Sequence, residues 1–552
     1  MNQKEGNRDV PNTSLFVRKA TGLVRAWSVF DAFIYATFSI NLVTLGLYSF
    51  SQMYYFEGGL LPSLLLSGVF LIFEIIIYAS LIAVMPRSGG DYVWQSRILG
   101  GGIGFVLAVT GWWFILWLWV PLYSDMLRHL VLTPLLGILG AKDAALWFGQ
   151  NSLGLFVTAV IVCVFVTFYI AIGMKWYARI QKFCFWGGLL GLVIVFGLLL
   201  FGSPATFQAG IEREAPAMFG APADVYSSTM KLGEDAGAMT PLMGGTLGAI
   251  FLTLPYIVFF NLWPNWGATL YGEVRGASDF KRNFWGMALA LIVTTLLGIA
   301  FFLLIDKTIS WDFYTKANGA FWNYTWGYST VAPSLPIWPY PVLLAAWMST
   351  SKVVQFLIVA LVGLWWFGWS GTVFLSSTRV IFAAAFDRLL PEKVASVHQR
   401  TRTPIYALLL MVIPSLIVSA LFAWNVFNFR SLTLDSTLVI AVTYLGSTVA
   451  AIILPFKKKE LYNASPIAKY KVFGIPLISI AGVIFGGFLL FLLYEWIIDP
   501  NGLYGIGYKN TSSVIFLIVL YTLALAIYLG FRAYRKSKGI DIDKVYDEIP
   551  VE

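Results

Sequence analysis

Twelve long apolar runs constrain this chain more than any other feature of its sequence. They fall at about 29–54, 60–84, 99–127, 153–173, 180–201, 246–272, 284–306, 353–386, 404–424, 435–455, 472–498 and 512–533. A bilayer core about 30 Å thick needs roughly 20 apolar residues per helix, and each run supplies them. In water such runs have no partner surface. Of the 552 residues, 59% are hydrophobic and only 12% are charged, against about 25% charged in a soluble domain. The chain therefore reads as an all-α integral membrane protein with twelve transmembrane helices. Its net charge of +9 has a use in basic loops beside a membrane and calls for no nucleic-acid partner. Cys163 and Cys184 lie inside apolar runs, which indicates neither a disulfide framework nor a metal site. The polar stretch before Ala26 has no cleavable signal pattern, so membrane insertion is expected to begin with the first span.

Twelve crossings return the chain to its starting side, and most of the 37 lysines and arginines lie on that side. This bias predicts a multi-pass protein of the cell membrane with both termini cytoplasmic. The densest basic stretch, "FKKKELYNASPIAKYK" from Phe456 to Lys471, reads as a solvated inside loop near anionic lipid. On the other side, loops at about 202–245 and 307–352 hold Pro, Gly and aromatic residues. They read as lids over an outer vestibule or as plain connectors.

Two spans break the apolar pattern. "FFNLWPNWGATLYGEV", Phe259 to Val274, places Asn261, Pro264 and Asn265 deep in the sixth run. Pro264 has no N–H to give the preceding turn, which releases carbonyls near Phe260 and Asn261. "YATFSINLVTLGLYSF", Tyr35 to Phe50, places Thr37, Ser39, Asn41 and Thr44 in the middle of the first run. Asn, Ser and Thr all compete with helical backbone for hydrogen bonds. Open backbone at membrane depth survives only inside protein or beside a watery cavity. For one span alone, a simple kink satisfied by a neighbouring helix is an equal explanation. A pair of interrupted helices at related positions points instead to a transporter's binding site. Half-helix N-termini there suit a carboxylate, and free carbonyls suit an ammonium or metal cation, so a zwitterion fits both.

Four further stretches carry a resemblance. They are "MPRSGGDYVWQSR" (Met85 to Arg97), "GMKWYARIQ" (Gly173 to Gln181), "YGEVRGASDFKRN" (Tyr271 to Asn283) and "FDRLLPEKVASVHQRTRTPIYALLL" (Phe386 to Leu410). In this order and at these helix intervals they resemble the amino acid–polyamine–organocation (APC) transporter superfamily. The resemblance implies a five-plus-five inverted-repeat fold with broken helices 1 and 6. The first repeat then covers 29–201, an outer loop 202–245, and the second repeat 246–455. Two peripheral helices lie in 456–533, and the cytoplasmic tails are 1–28 and 534–552. The substrate is expected between the unwound parts of helices 1 and 6, at Ser39, Ile40, Asn41 and Leu42 and at Phe259, Phe260, Asn261 and Trp263. The chain departs from the family pattern here. A glycine-x-glycine in helix 1 is missing at about Leu42 to Thr44, and Gly46 is the first glycine. In helix 6, Asn261 and Trp263 replace the second Phe and the Gly of a Phe-x-Phe-x-Gly pattern. Trp263 then fills volume and argues against a large substrate, unless its indole turns to form a wall. Ser80 stands where many relatives carry a glutamate.

The other polar residues are weighed against plainer roles. Glu74, inside "LIFEIIIYAS", is an intramembrane acid: a proton-carrier candidate or a hydrogen-bonded structural group. Asp31 and Asp125 read as capping or solvated residues near span ends, and His129 and His398 as interfacial ones. Trp112, Trp113, Trp365, Trp366 and Trp369 are candidates for a pocket lining or for interfacial belts. Ser370 and Thr372 offer oxygens to a cation, with bonding to their own helix as the alternative. Some relatives carry a lysine in helix 5 at the position of Gly188. Lys182 lies nearer the membrane surface, where its stem snorkels. No zinc-type His pair and no phosphate-binding loop occurs, so no enzyme, metal or cofactor is expected.

The sequence thus predicts a secondary active permease for small-to-medium neutral amino acids, coupled to sodium or to protons. A non-transporting nutrient sensor of the same fold and a polyamine or other organocation transporter are the alternatives. No acid sits near the break of either interrupted helix to hold a cationic side chain.

Overall fold

The computed structural model describes Leu23, residues 25–547 and Ile549. Residues 1–22 of the expected N-tail and 550–552 of the expected C-tail lie outside the described residues. Among the described residues, twelve helices are long and apolar enough to cross a membrane. In chain order they are spans 1 to 12: Val29–Ser51, Leu60–Val84, Gly101–Ile138, Ser152–Ala171, Met174–Phe201, Leu247–Glu273, Phe280–Thr308, Lys352–Phe386, Ile405–Ala423, Asp435–Lys457, Leu477–Ile498 and Thr511–Ser537. Polar caps set where several of them begin. Ser28 and Asp31 form a capping box ahead of span 1. Asn151, Asp279, Ser351 and Asn510 accept backbone N–H groups at the starts of spans 4, 7, 8 and 12.

Small residues decide how closely the spans pack. A Cβ added at Gly187, Gly188 or Gly191 of span 5 would come within 2.8 Å of Leu364, Trp365 or Val362 of span 8. The two backbones approach along this stripe as small-residue membrane packing allows. Gly188 lies against Trp365 and leaves no room for a longer side chain. At the periphery, span 12 exposes Ile515, Ile518, Val519, Leu523 and Leu525, a surface suited to lipid.

Span 3 runs further than its apolar stretch predicts, to Ile138 rather than about 127. It absorbs two π-helical turns, Thr110–Phe114 and Arg128–Leu132, and contains Pro121. Its polar residues neutralise one another within the helix. Arg128 Nε donates to Asp125 Oδ1 over 2.7 Å, the Tyr48 hydroxyl donates to the other oxygen, and His129 lies 3.6 Å away. Asp125 and His129 are therefore buried; neither is the solvated or interfacial residue expected near a span end. Lys182 also has a partner: its ammonium lies 2.8 Å from Asp31, joining span 5 to the start of span 1.

The two long connections are folded. They contain the helices Pro204–Phe219, Val225–Asp235, Trp311–Thr325 and Pro341–Ala346. The second connection docks on the end of span 1: Trp322 Nε1 donates to Ser51 Oγ over 2.9 Å. The rings of Trp322 and Trp338 meet Tyr48 edge-on at 5.4 and 5.9 Å. Ahead of span 11, Lys471–Val472 and Ile475–Pro476 form a two-stranded hairpin. Its turn residues Phe473 and Gly474 both have positive φ, as a tight hairpin demands.

Candidate substrate site

Both polar stretches interrupt their helices. In span 1, regular helix ends at Ile40, and Asn41 takes the left-handed conformation at φ 42°, ψ 78°. A π-helical turn, Leu42–Gly46, follows before helix resumes at Leu47. Asn41 stabilises its own break, because its side-chain oxygen accepts the Thr44 N–H at 3.1 Å. The last helical N–H bond closes on Thr37 O, so the carbonyls of Phe38 to Ile40 lie past the final acceptor of that half. In span 6, helix ends at Asn261 and resumes as a 3-10 segment at Trp266. Trp263 Nε1 turns back to Phe259 O at 2.8 Å and satisfies one of the carbonyls that the helix end at Asn261 leaves open. A Cβ at Gly46 would meet the Phe260 ring at 2.9 Å. This glycine allows the two interrupted spans to touch.

Between them lies a cavity lined by Ser39 and Leu45 of span 1, Trp119 and Tyr123 of span 3, Trp263 and Trp266 of span 6, and Trp369, Thr372 and Val373 of span 8. The space is about 10 Å³, room for about one water. Aromatic rings fill the rest. Trp119 stacks on Phe259 at 5.3 Å and meets Trp263 edge-on at 5.4 Å; Tyr123 and Trp369 lie 3.7 Å apart. An amino acid fits only after these rings move, so this form is closed around the site. Trp263→Gly is expected to admit larger competitors in an uptake competition panel. An unchanged profile would show that the indole is not a wall.

The expected site residues divide into three groups. Ser39, Trp263 and Thr372 line the cavity. Phe259 backs it through its ring contact with Trp119, whereas Phe260 packs on Phe50 and Gly46 of span 1. Ile40, Asn41, Leu42 and Asn261 are buried in the broken backbone beside it. Among the described residues, the side-chain nitrogens of Asn41 and Asn261 have no hydrogen-bond partner, while Asn261 Oδ1 accepts Ser67 Oγ at 3.0 Å. The span 8 oxygens are largely committed. Ser370 Oγ donates to Phe367 O at 3.0 Å, within its own helix. Thr372 O accepts Tyr35 and Trp266 at 2.9 and 3.2 Å, and its hydroxyl pairs with Tyr123 at 3.1 Å. Glu74 is fully buried, and among the described residues both of its oxygens lack hydrogen bonds and the like-signed Asp91 acts on it.

Sequence reasoning missed Trp119, Tyr123 and Trp266. The spacing of Trp119 with Tyr123 puts this pair on one helix face, while Trp263 and Trp266 flank the break in span 6. In a span apolar on all sides, however, that spacing does not say which face meets the site. Of the other tryptophans, Trp112 packs on Trp266 at 4.6 Å, Trp113 Nε1 binds Leu410 O, Trp365 packs on Phe38, and Trp366 Nε1 binds Tyr123 O.

Ion pairs close the face that carries the termini. Arg379 of span 8 grips Glu273 at the end of span 6 through two bonds of 2.6 and 3.1 Å, both residues being buried. Arg97 binds Asp387 through bonds of 2.6 and 2.9 Å, joined by the Tyr92 hydroxyl at 2.8 Å. Trp27 pairs its backbone with Glu273 and Arg275, tying the chain ahead of span 1 to the end of span 6.

Asp91 begins the short helix Asp91–Ile98 between spans 2 and 3. Burial pushes its carboxyl up to about 6, against hydrogen bonds from Ser447 (2.6 Å) and Tyr78 (2.7 Å). The folded state then binds this proton more tightly than the unfolded state, so stability falls as pH rises through that range. Ionising Asp91 costs the fold on the order of 2–3 kcal/mol above pH 6. Asp91→Asn keeps an acceptor oxygen and removes the cost. Its melting temperature is expected to exceed the wild type's at pH 8, with the gain vanishing towards pH 4. An equal gain at both pH values would contradict this.

No curated protein matches the chain. The amino acid permease family matches it over residues 28–527, from the cap of span 1 into span 12. That match covers both interrupted spans, the aromatic cavity between them and the ion pairs that close one face. The chain belongs to the amino acid permease family, within the APC superfamily.

Proposed function

We propose that this chain is a secondary active permease that carries neutral, small-to-medium amino acids across the cell membrane by alternating access. Spans 1–5 and 6–10 act as the two inverted repeats, and both termini lie in the cytoplasm. The observation that carries the reading is the meeting of two interrupted spans at one buried cavity. The excess of Lys and Arg on the terminal side supports the orientation. The cavity offers backbone carbonyls to an ammonium and rings to an apolar side chain. No acid lines it, which favours a neutral substrate over a polyamine. In the proposed cycle the Arg379–Glu273 and Arg97–Asp387 pairs break when the site opens to the cytoplasm.

Transport draws on a sodium or proton gradient. Sodium at Ser370 and Thr372 requires their hydroxyls to leave Phe367 and Tyr123, and Glu74 is the rival carrier for a proton. The test is uptake of labelled amino acids by proteoliposomes, scored against unlabelled competitors and with choline replacing sodium at fixed pH. Uptake of a neutral amino acid above empty liposomes is expected. A panel in which only polyamines compete would overturn the substrate assignment, and an unchanged rate in choline would reject sodium.

A further inference from the structure

A second cavity, much larger than the central one, opens on the face opposite the termini. Its volume is about 490 Å³, within the range of small-molecule sites. Tyr54, Tyr55 and Tyr256 form an aromatic wall, Trp326 and Tyr328 come from the connection after span 7, and Arg430 enters from the loop between spans 9 and 10. Among the described residues, no Asp or Glu lines it. Four acids lie outside its lining: three are at least partly engaged, and Glu495, which acts on the lining Tyr504, keeps one buried oxygen unpartnered among the described residues. Asp125 is held by Arg128 and Tyr48, Asp435 by Ser513, and Asp499 by the N–H groups of Leu503, Tyr504 and Gly505.

Arg430 is held firmly but keeps donor capacity. Its Nε and Nη2 donate to Phe422 O and Ala423 O at 3.2 and 2.7 Å, capping span 9. Nη1 makes no hydrogen bond to the described residues. Burial pulls the guanidinium below its ordinary value, with Asp125 opposing and Arg128 adding to the pull. An arginine nevertheless stays charged, so the cavity contains a partly desolvated cation with no Asp or Glu beside it in the lining. The loop that presents it is strained. Asn425, Phe427 and Asn428 all have φ between 50° and 59°, a conformation that non-glycine residues keep only where surrounding structure holds them, often at binding sites. The Arg430 N–H to Asn425 Oδ1 bond, 3.0 Å, is part of that hold.

We propose that this vestibule is a docking site for the carboxylate of an amino acid with an apolar or aromatic side chain, bound by Arg430 and the tyrosine wall before entry to the central site. The proposal rests on the permease reading only in taking this face as the outer one and the ligand as its substrate. Tyr328 is 79% exposed and Cys163 and Cys184 are buried, so Tyr328→Cys gives a single reactive thiol at the rim. Its rate of labelling by a charged maleimide is measured on the purified full-length protein. The probes are 3-phenylpropionate, which has a carboxylate but no ammonium, and phenethylamine, which has the reverse.

Phenylpropionate is expected to slow labelling at least about threefold and phenethylamine to leave it unchanged. Adding Asn428→Asp puts a negative charge in the vestibule without touching the span 9 cap and is expected to abolish protection; Asn428→Ser is expected to retain it. Arg430→Gln is expected to lose protection too, and the Asn428 pair decides if that variant misfolds. Equal protection by the amine overturns the proposal, as does no protection by the carboxylate. Protection that survives Asn428→Asp does so as well, because it would come from closure triggered at the central site. Protection without proteoliposome uptake sinks the permease reading and leaves the vestibule standing; uptake without protection does the reverse.

Discussion

Replacing Arg379 by methionine is expected to destabilise the protein by about 3–5 kcal/mol, the range for breaking a buried ion pair by removing one partner. Arg379 and Glu273 are 0% and 1% exposed, and their two hydrogen bonds form a parallel fork between spans 8 and 6. Loss of the guanidinium leaves a carboxylate in a dry interior. It also loosens the strip where the Glu273 carbonyl receives the Trp27 N–H at 3.1 Å. Lysine is a poor substitute, because a point charge cannot reproduce the fork. The double variant Arg379→Met, Glu273→Leu removes both charges and is expected to recover most of the lost stability. Thermal unfolding of the three purified proteins in one detergent checks this. A double variant as unstable as the single one would show that packing, not the unpaired charge, is responsible. In transport, the double variant is expected to favour the form open to the terminal side, since a bond that must break in each cycle is gone.

Asn261→Leu is expected to reduce transport at least tenfold, about 1.4 kcal/mol or more at the transition state, while the protein still inserts and folds. Asn261 is the last residue of the helical half of span 6 and is fully buried. Its oxygen holds Ser67 of span 2, and its nitrogen has no partner among the described residues in the closed form. Leucine has similar bulk but no polar atoms, so it neither anchors the break to span 2 nor offers the amide to substrate. The lost bond costs about 1–3 kcal/mol of stability, less than unfolding the protein requires. Wild-type uptake with unchanged affinity would remove Asn261 from the site.

The sequence carries the fold far better than it carries the site. Every span is legible because a bilayer demands about twenty apolar residues in a row, and no other solvent imposes so simple a ruler. Span 3 is the exception that shows the ruler's limit. Arg128, His129 and Pro134 look like a helix end, but Asp125 one turn earlier pairs with the arginine and allows the helix to continue to Ile138. The interruptions are legible for the same reason in reverse: Asn41, Asn261 and Pro264 are costly at membrane depth unless something uses them. The walls around them are not. Trp119, Tyr123 and Trp266 sit in helices apolar on every face, and only the packing of four spans decides which rings turn inward. Lys182 illustrates the same gap, since nothing local to span 5 indicates that Asp31 of span 1 lies 2.8 Å away. The vestibule is still less legible, because connections far apart in the chain meet to form it.

The central claim is that one site, at the meeting of spans 1 and 6, opens to the two sides of the membrane in turn. Counterflow tests this most directly. Proteoliposomes loaded with an unlabelled neutral amino acid are diluted into a trace of the same labelled compound, with no ion gradient. A single alternating site exchanges the two pools, and the account predicts a transient overshoot of label inside, absent from empty liposomes and strongly reduced in Asn261→Leu. Labelled substrate that binds the protein without any overshoot would contradict the account and make the chain a receptor rather than a permease.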